Sequence, residues 1–338
     1  MRKQREKGGN GGNRAFFLLH RRDFWYIIKT CCQVCGYHRQ DGTADRVSGK
    51  GTAARTEGAD IMKLAFIGCG AMGGALVSGT VVKGAADGRD VFVFDMDGGK
   101  TAALADKYGV NVCGSEEEAA EKADIIFVCV KPAVTGAVSK KIKDAVRDAK
   151  GGKAVVSVAA GVTATSYLDI LGRDTKLVRL IPNLPAQTGM GITGAFFVNF
   201  DAGNARDAEL KSGIMKILEA VGSVIEVASE KMIDEMIAVT SSSPAYFCMM
   251  IEAMADYAVK VGFTRAQGLE MAEKAMLGTA GFLLEKGKHP AVLRDEVCSP
   301  GGTTIAAVDA LEKAGFKKAV LEGMDACRAK AVKTEGYI

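Results

Sequence analysis

No apolar run in this chain reaches the roughly 18 residues that a membrane-spanning helix needs. The longest candidate, 16–19 with 24–28, is broken by Arg21, Arg22 and Asp23, so no membrane partner is expected. A disulfide framework is missing as well. Cys69, Cys113, Cys129, Cys248, Cys298 and Cys327 are scattered, mostly inside apolar segments, where a small buried thiol is the ordinary role. That usage points to a reducing compartment, the cytoplasm. A basic stripe is lacking too. Residues 1–61 hold 12 Lys/Arg against 6 Asp/Glu, and the remainder holds 32 against 34. The positive excess therefore sits in the leading segment, and the body offers nothing to nucleic acid.

At 338 residues the chain has room for two domains. Residues 1–61 are Gly-rich and basic, with no sustained period of 2 or 3.6, and read as a disordered leader or extension. Cys32-x-x-Cys35, with Cys31 and His38 near it, is at best half of a zinc site, since zinc needs four ligands. No metal is expected. An Arg-rich transit peptide is opposed by Glu6, Asp23, Asp41 and Asp45. The first domain is placed from Met62.

From Lys63 the texture changes. Leu64-Ala65-Phe66-Ile67 is a short buried-strand run, followed by Gly68-Cys69-Gly70-Ala71-Met72-Gly73 and a helix-compatible stretch over 75–82. A G-x-G-x-x-G between strand and helix is the setting of a dinucleotide pyrophosphate site. The first glycine permits the tight turn, the second a close backbone approach, and the third close helix packing, with the helix N-terminus facing the phosphates. A second strand, 91–94, ends in Asp95, 22 residues after Gly73, where an acid bonds the adenosine ribose. Asp95 or Asp97 also suits an N-cap for a helix over 98–108. Strands at 124–130, 154–158 and 176–181 alternate with helices at 133–148 and 163–171, the rhythm of a parallel sheet covered on both faces. Ligands of such sheets lie beyond the strands' carboxyl ends. Gly68, Gly70, Ala71, Met72 and Gly73, then Val130-Lys131-Pro132, then Ala159 and Ala160 are the cofactor candidates. This Rossmann-type domain is expected to span 62–226.

After Pro182-Asn183-Leu184-Pro185 and an exit strand at 193–199, the chain reads as helical, with segments at 206–221, 231–239, 244–260, 265–285 and 303–314. Ser243 with Pro244 marks a helix start, and Thr264-x-x-Gln267 a capping box. The 244–260 helix is apolar on most of its circumference, so a second subunit is its simplest cover. The domain assigned to 227–338 is therefore an all-helical dimerisation and substrate domain, and the fold class α/β: a parallel sheet followed by helices.

Ser299-Pro300-Gly301-Gly302-Thr303-Thr304 stands directly before a helix. Glycines that turn backbone N–H groups inward, a helix N-terminus and three hydroxyls make an anion cradle. An ordinary Ser-Pro turn with Thr caps is the other reading of these six residues alone.

With these motifs in order, the chain resembles the pyrroline-5-carboxylate reductase family. The resemblance rests on 290–312, on Ile67 through Gly73, on Val130-Lys131-Pro132, and on Ser157-Val158-Ala159-Ala160-Gly161-Val162. It rests also on Arg179 through Pro185 and on Thr240 through Tyr246. It implies reduction of L-1-pyrroline-5-carboxylate to L-proline by NAD(P)H, the last step of proline biosynthesis, in a homodimer that assembles further. By the same resemblance Ser299, Gly302 and Thr303 hold the substrate carboxylate, and Thr304 faces the ring nitrogen as the catalytic hydrogen-bond donor. A protonated cyclic imine is already electrophilic, so positioning carries most of the work, in keeping with a body whose one histidine is His289. The carboxylates of Asp95 and Asp97, with Lys100 the nearest cation, lead to the expectation that NADH serves at least as well as NADPH. A β-hydroxyacid dehydrogenase would need a lysine base on the first long helix of its second domain, and 241–259 contains none. A non-catalytic cofactor-binding protein is the remaining alternative, and the intact 299–304 loop speaks against it.

Overall fold

The computed structural model describes residues 62–149 and 152–332. The expectations for the leader and the Cys32/Cys35 half-site lie outside the described residues. Among the described residues two compact units form, one of 62–247 with 315–332, the other Cys248–Ala314.

The first unit is built on an eight-stranded sheet in the order β3-β2-β1-β4-β5-β6-β7-β8. The strands are β1 (Leu64–Ile67), β2 (Val91–Phe94), β3 (Asn111–Val112), β4 (Ile125–Val128), β5 (Ala154–Ser157), β6 (Lys176–Ile181), β7 (Gly191–Val198) and β8 (Gly222–Glu226). The first six are mutually parallel; β7 runs antiparallel to β6, and β8 pairs parallel with β7. Six helices of this unit follow in chain order. They are α1 (Ala71–Val82), α2 (Gly98–Tyr108), α3 (Glu116–Lys122), α4 (Pro132–Arg147), α5 (Ala164–Leu171) and α6 (Ala205–Glu219).

The near-continuous apolar runs of β1 and β4 reflect burial on both faces. Successive side chains alternate across the sheet. Leu64, Phe66, Ile125 and Phe127 meet α1 and α6 through Leu76, Val77, Leu210 and Ile214. Ala65, Ile67, Ile126 and Val128 meet α3, α4 and α5 on the other face, through Ala119, Val138, Ile142 and Leu171. Phe66 and Phe127 stack at 4.7 Å between ring centroids. Each such side chain contributes about 1.5–3 kcal/mol by leaving water.

The first unit also takes in α7 (Glu230–Met236), the π-helical turn Ile237–Ser241 and α12 (Phe316–Val332). Helix α7 packs on β6 and β7, and α12 returns onto α7 and the π turn. Compactness thus divides the chain at Phe247/Cys248, whereas the sequence reading placed the change at 226/227. The π turn also revises a cap. Helix α8 (Ser243–Lys260) continues directly from it, so Ser243 is no N-cap, and its hydroxyl donates to the Thr240 carbonyl at 3.1 Å. Without a break in the helical path no free N–H group awaits a capping oxygen.

The second unit holds the rest of α8, then α9 (Arg265–Lys286), α10 (Pro290–Val297) and α11 (Thr303–Lys313). The capping box is formed in both directions between Thr264 and Gln267. Helices α8 and α9 cross closely at small residues. A Cβ on Gly268 would lie 3.0 Å from the Ala255 carbonyl oxygen and from the Ala258 methyl. Ala255, Ala258, Gly268 and Ala272 are buried there. Met249, Tyr257, Leu277 and Leu284 stand exposed. Among the described residues no helix is long and apolar enough to cross a membrane.

Candidate active site

The glycine motif occupies the point where strand order reverses. In the order β2-β1-β4, the chain after β1 goes to one side and the chain after β3 returns on the other, which is where a crevice opens beyond the carboxyl ends. Gly68 has φ +95°, and a Cβ there would sit 2.8 Å from the Cys129 carbonyl oxygen and 2.9 Å from Val130 Cγ1. A Cβ on Gly73 would overlap the Gly68 carbonyl oxygen. Both glycines are therefore demanded by packing. Gly70 differs: nothing among the described residues lies within 4 Å of its Cβ position. It is the N-cap of α1, whose first turn has neither a side-chain cap nor an acidic residue. Ala71 and Met72 supply that first turn. The helix thus starts at Ala71 rather than near residue 75, since packing of Gly73 against Gly68 overrides the low helix propensity of Gly73 and Gly74.

Asp95, at the end of β2, is tied into the same turn. One carboxylate oxygen accepts from the Cys69 N–H at 2.7 Å, the other from the Asp97 N–H at 2.8 Å. Lys100 Nζ lies 3.7 Å from Asp95 and 3.5 Å from Asp97. Burial alone would raise the Asp95 carboxyl, but the two backbone donors and Lys100 outweigh it and hold it below its ordinary range. The cap of α2 is Asp97, which accepts from the Gly99 N–H. Burial, and then the charge of Asp95, push the Cys69 thiol up to about 12, so it stays a neutral thiol.

Val130, Lys131 and Pro132 follow β4. Lys131 is the exposed N-cap of α4 and Pro132 its first residue, where a missing N–H costs nothing. Ala159 and Ala160 follow β5, Ala159 buried and Ala160 exposed. Since β1, β4 and β5 are neighbours, the three cofactor segments emerge side by side from one sheet edge. An uncapped helix N-terminus, an unobstructed glycine and the absence of acid in that first turn suit the diphosphate of a dinucleotide.

Ser299, Gly302, Thr303 and Thr304 belong to the other unit, Cys248–Ala314. They form one turn: the Gly302 N–H donates to the Ser299 carbonyl at 3.0 Å, and Gly301 takes φ +68°. A Cβ on Gly302 would strike the Ser299 hydroxyl. Gly302 is the N-cap of α11, and no side chain caps that helix. Ser299 and Thr303 are exposed and Thr304 half-buried, so the first turn keeps its backbone donors for an anion.

One supporting residue was read as part of an interruption and of the Arg179–Pro185 motif, with no role of its own. Asn183 is buried; its Oδ1 accepts from the Ile192 N–H at 2.9 Å, and its Nδ2 donates to the Thr240 carbonyl at 3.2 Å. Among the described residues no group of three or more His, Cys, Asp or Glu is placed to hold a metal ion.

Comparison with known proteins agrees with both halves. A family profile described as pyrroline-5-carboxylate reductase dimerisation matches residues 230–334. One described as NADP oxidoreductase, coenzyme F420-dependent, matches 63–161. The pyrroline-5-carboxylate reductase of Escherichia coli (strain K12) is 42% identical over 272 residues, 80% of this chain and 97% of that protein. The chain belongs to the pyrroline-5-carboxylate reductase family. Another reductase of this family, from Arabidopsis thaliana, is 32% identical over 81% of this chain and 95% of its own length. Among solved structures, a pyrroline-5-carboxylate reductase from Coxiella burnetii superposes with TM-score 0.76 at 30% identity, covering 82% of this chain and all of that one. The Plasmodium falciparum pyrroline carboxylate reductase, solved with NADP bound, gives 0.70 at 27% identity, with 82% and 100% covered. The chain is accordingly an oxidoreductase.

Proposed function

We infer that this chain reduces L-1-pyrroline-5-carboxylate to L-proline with NADH or NADPH, the last step of proline biosynthesis. The observation that carries the reading is the 42% identity to a pyrroline-5-carboxylate reductase over nearly the whole of that enzyme. The glycine motif falls within one matched family profile, 63–161, and the 299–304 loop within the other, 230–334. Gly68, Gly70, Ala71, Met72 and Gly73 would hold the dinucleotide diphosphate. Each oxygen of Asp95 has a second lone pair for a ribose hydroxyl. Val130, Lys131, Pro132, Ala159 and Ala160 would complete the binding surface. When bound, the dinucleotide supplies the hydride that saturates the C=N bond.

The chain's own residues bind, orient and donate. Ser299, Gly302 and Thr303 take the substrate carboxylate, using the uncapped first turn of α11 and two hydroxyls. The Thr304 hydroxyl donates to the ring nitrogen, whose lone pair grows as the carbon is reduced. Fixing the ring in this way supplies most of the acceleration. The second copy that covers α8 makes the enzyme a homodimer, assembling into a larger homo-oligomer in the cytoplasm.

The test is turnover. The purified chain, given pyrroline-5-carboxylate with each reduced nicotinamide cofactor, should oxidise the cofactor and release proline in equal amounts. Tight cofactor binding without proline would favour a non-catalytic binding protein, and oxidation of β-hydroxyacids with no imine reduction a dehydrogenase.

A further inference from the structure

The loop after β5, which offers Ala159 and Ala160 to the cofactor, is held at its far end by a side chain from α7. Residues 159–163 lead into α5, and Gly161 turns them with φ +74°. At the near end the Ala159 N–H donates to Ser157 Oγ at 3.2 Å. At the far end the Ala164 N–H, the first of α5, donates to Glu230 Oε1 at 2.5 Å. Glu230 opens α7, 66 positions further along the chain. The same oxygen accepts from Arg179 Nη1 at 2.7 Å, and Arg179 Nη2 reaches Asp234 Oδ1 at 3.2 Å. Glu230 and Asp234 stand four apart on one helix face. The Arg179 side chain that they share rises from β6 and is 3% exposed. Arg147 of α4 holds the other end of α5, donating to the Leu171 and Ile170 carbonyls at 2.7 and 3.0 Å.

Stability does not account for this cluster. Taking charges out of water costs free energy that their attraction repays only with excellent geometry, and apolar side chains of like volume are often no less stable. Nor does the helix start require a carboxylate from α7. Water can serve the first N–H groups of a helix, and α5 already has a cap in Thr163, which accepts from the Ser166 N–H. What the cluster adds is position. A charged acceptor bonds a backbone N–H more strongly than a neutral one. Arg179, fixed in the sheet and bonded to two carboxylates, leaves the Glu230 side chain one place to be. Residues 159–163 are thereby tied down at both ends, to Ser157 and to Glu230.

We propose that Glu230, oriented by Arg179, is a positioning residue that holds the loop at Ala159–Gly161 in the conformation that receives the nicotinamide dinucleotide. The inference rests on the functional reading above. Its test compares Glu230→Ala, Glu230→Gln and Asp234→Asn in the full chain, with NADH affinity from fluorescence titration, KM for the imino acid and Tm from circular dichroism. Glu230→Ala removes the acceptor and should raise the NADH Kd at least ten-fold, with KM for the imino acid within two-fold. Glu230→Gln keeps an oxygen for the Ala164 N–H and should hold Kd within three-fold of the parent. Asp234→Asn disturbs the same buried arginine without touching Ala164, so Kd should stay within two-fold whatever happens to Tm. A smaller rise in folded Glu230→Ala overturns the proposal. So does an equal rise in Glu230→Gln or Asp234→Asn, which is what a purely structural ion cluster would give. Should Glu230→Ala fail to fold, Ala164→Pro decides by the same ten-fold criterion, since proline suits the first position of a helix and lacks the N–H that Glu230 receives. A parent chain that binds neither NADH nor NADPH would instead overturn the functional reading, and the proposal with it.

Discussion

The two units bury their apolar side chains very differently. In the sheet unit Leu64, Phe66, Ile67, Ile125, Ile126 and Phe127 are at most 1% exposed. In Cys248–Ala314 the residues that close are small, Ala255, Ala258, Gly268 and Ala272, while Met249 is 69% and Leu284 78% exposed. A monomer that left such a surface to water would carry a patch soluble proteins avoid. The sheet unit specifies its own core, whereas the helical unit leaves large apolar side chains exposed and lies within the matched dimerisation profile. The candidate site residues follow that division. Gly68, Gly73 and Asp95 are fixed by packing or hydrogen bonds within the fold, while Ser299 and Thr303 are exposed on a turn that packing leaves alone.

The comparison breaks first if the helical surface needs no partner. Met250 and Met254 lie one turn apart on α8, each 40% exposed, so they share a face. In a two-fold interface every substitution counts twice. Met250→Glu with Met254→Glu should weaken self-association about 1000-fold or more, some 4 kcal/mol, because buried unpaired carboxylates are costly. Sedimentation velocity should show monomer at micromolar concentration. An unchanged oligomer would mean that this face is not the interface.

The glycines sharpen it next. Gly73→Ala should lose about 1–3 kcal/mol of stability by overpacking against the Gly68 carbonyl, despite gaining up to about 1 kcal/mol in helix propensity. Gly70→Ala meets nothing within 4 Å, so Tm should hold while NADH affinity falls about ten-fold or more. Thermal melts and titrations of the two variants separate the roles. Equal effects on both readouts would contradict the division between packed and open glycines.

Thr304 tests the open unit from the side of chemistry. Thr304→Ala should lower kcat by roughly ten-fold or more, from loss of a hydrogen bond worth about 1.5–3 kcal/mol in the transition state. Tm and cofactor Kd should stay near those of the parent, because no core depends on this half-buried residue. Turnover close to the parent's in the folded variant would remove Thr304 from the mechanism.

Legibility in the sequence tracks the same contrast. Strands β1, β2 and β6 and helix α2 could be read from pattern because β1 and β2 are continuous apolar runs, β6 is mostly apolar, and Gly109 ends α2 in the left-handed conformation. Strand β8 escaped notice because Gly222-Ser223-Val224-Ile225-Glu226 is a short, largely exposed edge, whose polarity looks like a loop. The antiparallel turn into β7 depends on tertiary pairing that no local signal encodes. Helix α10 was hidden within a motif read for function, though His289 caps it and Pro290 opens it. Helix α12 lies beyond 303–314, the last segment read as helical, and its exposed, Lys-rich face carries no clear apolar stripe. The candidate residues were visible one by one. The bond from the Cys69 N–H to Asp95 and the Ser157–Tyr167 hydroxyl pair were not, since they join residues 26 and 10 positions apart.

Cofactor choice is the smallest effect, and it turns on how firmly Asp95 is held. Had its side chain been free to rotate into solvent, a 2′-phosphate could have displaced it at little cost. Instead both oxygens accept backbone N–H groups from Cys69 and Asp97, and moving away would strand those donors. The surrounding donors also keep the carboxyl ionised, with its pKa below the ordinary range. A carboxylate held about 4 Å from a phosphate costs roughly 4 kcal/mol at an effective dielectric near 20. Lys100, shared between Asp95 and Asp97, offsets part of that by turning toward the phosphate, which is how NADPH would remain a substrate. The net expectation is a kcat/KM for NADH at least equal to that for NADPH, with Asp95→Asn moving the ratio toward NADPH several-fold. Parallel initial-rate measurements with both cofactors decide it. A ten-fold preference of the parent for NADPH, about 1.4 kcal/mol, would show that Asp95 serves the turn at Cys69 and never meets the ribose.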